Sequence, residues 1–172
     1  MFTKTDIEKY FIAEKQESLL FLVIGIVAIV LAFIFFFVLK TNFYKGASIS
    51  FWVVGLLLAV AGFTVYNRSD SDRKRNVYAY DMNPGELKEK EIPRMKTVMK
   101  NFVIYRYTEI FLALLGVGLF FYFRTTLDKL FWSGLGLSLA IMALTTLMAD
   151  YFAEKRGAVY SAGLDKFIGG NK

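Results

Sequence analysis

The sequence contains no cysteine and no histidine. The first absence excludes disulfides and thiol nucleophiles. The second excludes imidazole acid–base catalysis and histidine-held haem. Together they exclude zinc sites built on either residue. There is no Gly-rich phosphate loop and no pair of catalytic carboxylates in one motif, so neither an enzyme nor a cofactor is expected. Acidic residues are the scarcer charge, 15 against 21 lysines and arginines, for a formal net charge of +6. In a soluble domain such a balance hints at nucleic acid. Here retention of Lys and Arg on the cytoplasmic side of a membrane accounts for it, and no nucleic-acid partner is expected.

What is abundant is apolar sequence: 56% of residues, with 17% aromatic, against ~45–50% apolar in ordinary soluble domains. The excess lies in four long runs, as in membrane helices. The first is LLFLVIGIVAIVLAFIFFFVL, 19–39. It is too long for a signal-peptide core and no small-x-small cleavage site follows it, so it reads as a retained helix. The second covers 49–66 and opens near Trp52; the third covers 103–123; the fourth covers 131–152. The expected fold is an all-α integral membrane protein with four transmembrane helices as two tandem, parallel hairpins. Amphipathic helices at 1–18 and 86–102 precede the first and third spans.

Loop charges set the expected orientation. The short links 40–48 and 124–130 carry only four basic residues, Lys40, Lys45, Arg124 and Lys129, and should face outward. The middle segment 67–102 is strongly basic, with Arg73, Lys74 and Arg75 as a patch. It and both termini, including a tail at 153–172, should be cytoplasmic. A bacterial inner membrane is the expected location. In the middle segment, NRSDSDRKRNVYAYDMNPG reads as polar and turn-rich, with a break at Asn83-Pro84-Gly85. Ile92, Met95, Val98, Met99 and Phe102 then recur at helical spacing opposite basic residues. Such a helix reads first as a stub that feeds the third span; its functional reading is an interfacial helix that docks anionic lipid headgroups or a partner. At the N-terminus, TDIE reads as a capping box of Thr5 with Glu8.

A repeat is visible. FWVVGLLLAVAG at 51–62 answers to FWSGLGLSLAIMA at 131–143, each followed by an acid, a basic cluster and a Val–Tyr pair; LKTN answers to FRTT. Gly55, Ala59 and Gly62 share one face, as do Gly136, Ala140 and Ala143. Small residues spaced this way let helix backbones approach in lipid. They place the second and fourth runs at the centre of the bundle, with contact to a second copy as the sharper reading.

The third run holds the most informative charges. Only Ile110 to Phe123 is uncharged, ~21 Å of helix against a ~30 Å hydrocarbon layer. The span must therefore begin near Val103, which puts Glu109 inside and lets Arg106 snorkel. Two registers of the repeat compete. Local similarity pairs Glu109 with Glu17, outside the first run. Alignment on the links pairs it with Gly25, well inside, and membrane thickness favours this second register. The expected polar cluster is Arg106, Glu109, Thr145, Thr146 and Asp150, with Arg106 the i,i+3 partner of Glu109. It reads either as a clamp between the third and fourth runs or as an ion or proton site. The favoured function is a small non-catalytic membrane subunit or regulator that forms a homo-oligomer or binds a protein partner through its cytoplasmic face. The alternative is a small oligomeric channel or transporter working through Glu109.

Overall fold

The computed structural model describes residues 2–170. It is all-helical. Four helices, α1 (Lys4–Leu39), α2 (Asn42–Met82), α3 (Pro84–Phe123) and α4 (Leu127–Gly170), are long and apolar enough to cross a membrane. No strand occurs among the described residues. α1 packs on α2 and α3 on α4; the two hairpins meet mainly through α2 and α4. The lipid-length stretches carry exposed large apolar side chains such as Val30, Phe37, Leu57, Phe111 and Leu144.

The helices do not stop where the apolar runs stop. All four continue as a stem with its own core, in which Ile7, Phe11, Leu87, Met95 and Leu164 are at most 1% exposed. This corrects one expectation and extends two others. The supposedly turn-rich 67–82 is uninterrupted helix, because its polar residues pair along and between helices: Arg68 with Glu14, Arg75 with Asp72. The amphipathic stretch 86–102 runs on into the third apolar run as the stub reading expected, and its apolar face, through Met95, closes the stem. The tail is helical to Gly170 and contributes Tyr160 and Leu164 to the same core.

Local signals explain the ends. The N-terminal cap is Thr3 rather than Thr5: the Thr3 backbone N–H donates to Asp6 Oδ2 at 2.8 Å, and the helix starts at Lys4. The break at Asn83 falls where the sequence placed it, with Pro84 in the first turn, where its missing N–H costs nothing. Pro93 follows a π-helical turn at Leu87–Glu91, which absorbs the lost backbone donor. At the opposite end, the tips, left-handed Lys40 (φ 58°) turns the chain and Thr41 caps α2.

The two hairpins pack by the same internal device. A Cβ on Gly25 would lie 2.6 Å from the Gly55 carbonyl oxygen and 2.5 Å from the Ala59 nitrogen; on Gly116 it would lie 2.6 Å from both the Gly136 carbonyl and the Ala140 nitrogen. Gly25 thus answers to Gly116, 91 positions on, and Gly55 to Gly136, 81 positions on. Gly62 closes on the Ser18 carbonyl in the same seam. These small-residue faces are consumed inside each hairpin. They are not free for a second copy, which corrects that expectation. The contact of α2 with α4 uses other small residues: Gly46 lies on the Phe131 carbonyl, Gly134 on that of Phe43, and Ser50 donates to the Leu135 carbonyl at 3.2 Å.

These contacts show that the hairpins are slid along each other. Gly134 stands level with Gly46, 88 positions apart, while Gly136 packs as Gly55 does, 81 apart. The difference is seven residues, ~10 Å of helix. The second hairpin is displaced toward the tips, which brings Phe123 level with Leu39. Both competing registers are therefore present, in different senses. By packing, Glu109 occupies the position of Ser18, next to Glu17; by height, it stands level with Gly25.

Candidate functional site

A cleft of about 560 Å³ lies between the hairpins and runs from the stem into the apolar stretches. Its deep walls are apolar, with Phe21, Leu57, Leu58, Leu112 and Leu139. Its stem end is charged. Arg68 holds Glu14 at 3.7 Å, and Arg156 binds Glu17. Two further carboxylates, Glu109 and Asp150, line the cleft and have no ion-pair partner among the described residues. Glu109 Oε2 is buried and lacks any hydrogen-bond partner among them.

The slide explains how these acids come to sit there. Glu109 stands level with Gly25, six residues past Leu19 at the start of the first run, or ~9 Å. Asp150 stands level with Gly62, within the second run. In the first hairpin the two packing positions are held by serines, Ser18 and Ser69. Both are buried, and their hydroxyls donate to their own helix at Lys15 O (2.8 Å) and Val65 O (2.7 Å). The Ser69 hydroxyl also lies 3.3 Å from Glu14 Oε2 across the hairpin. Packing at these two places needs only a small hydroxyl side chain.

The sequence-derived cluster is therefore partly assembled. Glu109, Thr146 and Asp150 line the cleft together. Arg106 does not join them: it reaches across to Glu154 on α4 at 3.2 Å. The helical i,i+3 expectation failed because a carboxylate on the neighbouring helix lies nearer the surface end, where a half-exposed guanidinium keeps its water. Thr145 points away and returns its hydroxyl to Ile141 O at 2.8 Å. The basic patch is also diluted. Arg73 pairs with Asp70 at 3.6 Å and Arg75 with Asp72 at 3.0 Å; Lys74 alone carries no ion pair among the described residues.

The stem holds a polar centre that sequence reading missed. Glu91 is fully buried; its carboxylate accepts two bonds from Arg94 (2.7 and 2.9 Å), one from Asn76 Nδ2 (3.2 Å) and one from Tyr160 Oη (3.1 Å). Tyr10 stacks on Tyr160 with ring centroids 4.1 Å apart. Burial, then the charge of Glu91, pushes the Tyr160 phenol well above its ordinary value; burial and Glu14 do the same to Tyr10. Burial opposes the charge on Arg94, but the Glu91 bridge outweighs it and holds the guanidinium ionised. The signal in the sequence was the i,i+3 pair Glu91–Arg94 within a stretch that also reads as solvent-facing. No group of metal-ligating side chains occurs among the described residues.

A second concavity, about 1150 Å³, opens on the outside of the stem between the start of α1 and the end of α4. Phe2, Val159 and Phe167 supply apolar surface; Lys9, Lys155 and Lys166 rim it, without ion-pair partners among the described residues. No protein-family model, curated protein or solved structure matches the chain.

Proposed function

We propose that the protein is an integral inner-membrane protein with both termini cytoplasmic. It acts without catalysis, as a membrane subunit or regulator that engages a partner through its stem. The distribution of basic residues supports the orientation: the tips carry few, and the stem end carries most. The observation that carries the partner reading is the groove between α1 and α4. It is a concavity of about 1150 Å³ on the stem, and it combines exposed Val159 with three lysines that have no ion-pair partner among the described residues. That chemistry fits an amphipathic protein segment with acidic residues beside its apolar stripe. Photo-crosslinking from position 159 in native membranes tests it. A discrete protein adduct should form, and should disappear in Lys9→Glu/Lys155→Glu/Lys166→Glu. Adducts to lipid alone would contradict the reading.

A second reading, an oligomeric channel or transporter, is favoured by one observation: the buried, unpartnered Glu109 oxygen at the cleft. Flux in proteoliposomes that vanishes in Glu109→Gln supports it.

A further inference from the structure

We propose that the cleft between the hairpins is a binding site for a lipophilic organic cation, with Glu109 and Asp150 as its anionic pole. The inference goes beyond partner docking on the stem. It rests on the helices spanning the membrane, which the depth of spin labels on α1 and α3 tests separately.

Four observations converge. The volume, about 560 Å³, lies within the ~300–1,000 Å³ of small-molecule sites. The lining is mostly apolar, so the ligand must be largely apolar too. The charge that remains after internal pairing is negative. Arg68 and Arg156 are taken by Glu14 and Glu17, and this leaves Glu109 and Asp150 without cations. Finally, the repeat supplies an internal control. Ser18 and Ser69 fill the same two packing positions in the first hairpin without a carboxylate; each hydroxyl bonds its own helix, and that of Ser69 also lies 3.3 Å from Glu14 Oε2. The acids are therefore not required to hold α3 on α4. Yet the slide carries these acids into the apolar band, where a carboxyl either takes up a proton or needs a counter-charge. A metal ion is the poorer occupant, because two carboxylates among leucines provide too few oxygens. A bulky organic cation needs no such shell. Its apolar groups pack on the phenylalanine and leucine walls, and its diffuse charge rests against Glu109 and Asp150.

The test uses purified protein in nanodiscs of neutral phosphatidylcholine, with empty discs as the blank. Tetraphenylphosphonium is the probe, and tetraphenylborate is its anionic counterpart of similar shape. Saturable binding of the cation and none of the anion is expected. Glu109→Gln should weaken it by about tenfold or more, and Asp150→Asn should also weaken it. Leu112→Trp, which fills the cleft and leaves both acids in place, should abolish it. Should Glu109→Gln fail to fold, the other two variants decide. No saturable cation binding would overturn the proposal, as would equal binding of the two ions or indifference to the substitutions. The latter two results would make the cleft an acyl-chain groove without ligand preference.

Discussion

Arg106 bonds Glu154 across the second hairpin at 3.2 Å and leaves Glu109, one turn away on its own helix, to the cleft. The first hairpin has a counterpart: Lys15, which answers to Arg106, bridges from α1 to Asp70 on α2. Both bridges join the legs of a hairpin near its stem end. In this arrangement the arginine is a strut and Glu109 is not its partner.

The strut is half exposed, so its energetic weight is small. Arg106→Gln should lower stability in detergent by no more than about 1 kcal/mol. Cation binding in the cleft should be unaffected. A Glu109-like loss of binding in Arg106→Gln would show that the two side chains are coupled after all.

Glu91 carries more weight. It has no exposure and answers four donors' bonds from Arg94, Asn76 and Tyr160. Glu91→Leu leaves a buried guanidinium with only the looser Glu14 contact at 3.6 Å, at a cost of up to about 3–5 kcal/mol. A marked fall in Tm is expected. Glu91→Leu/Arg94→Leu should recover much of it, since an apolar pair removes both charges. A double variant no more stable than the single one would contradict this account.

The raised Tyr160 and Tyr10 phenols give a pH dependence with a definite sign. In the unfolded chain they ionise near pH ~10; in the fold they keep their protons to higher pH. The folded state then binds more protons than the unfolded one, so stability falls as pH rises above ~10. Tm measured against alkaline pH should drop, with ionisation of these phenols appearing only on unfolding. Tyr160→Phe should flatten that drop and lower Tm at neutral pH, since Glu91 loses a donor. Phenolate absorbance that rises ahead of unfolding would contradict the assignment.

The glycine seams predict where small-residue changes act. Gly116→Leu and Gly55→Leu place side chains against backbone of the facing helix. Each should destabilise its own hairpin by roughly 1–3 kcal/mol or more, read as Tm in detergent. The mass of the particle in mild detergent should be unchanged. A change of oligomeric state at unchanged Tm would return these faces to an intermolecular role.

Much of this architecture was legible in the sequence, and particular residues show where legibility ended. The four apolar runs and the Gly55/Gly136 match exposed the four helices long and apolar enough to cross a membrane and the repeat that relates them, because hydrocarbon thickness sets length and close packing sets small residues. The stem was hidden. Arg68, Asp72, Asn76 and Glu91 look like loop residues until their partners on other helices are known, and no pattern within one helix contains those partners. The same locality misassigned Arg106. The two registers of Glu109 looked exclusive because a sequence alignment has one offset, whereas a slid repeat has two: one for packing and one for height.

That slide positions the acids, and label depth measures it most directly. The chain has no cysteine, so single cysteines at Leu19, Ile26 and Ile110, all exposed on the apolar band, can carry spin labels without background. Accessibility to oxygen against a polar relaxant gives each label's depth in a bilayer. Ile110→Cys should match Ile26→Cys and lie ~10 Å deeper than Leu19→Cys. An Ile110 label at the depth of Leu19 would remove the slide, return Glu109 to the membrane surface, and contradict the account.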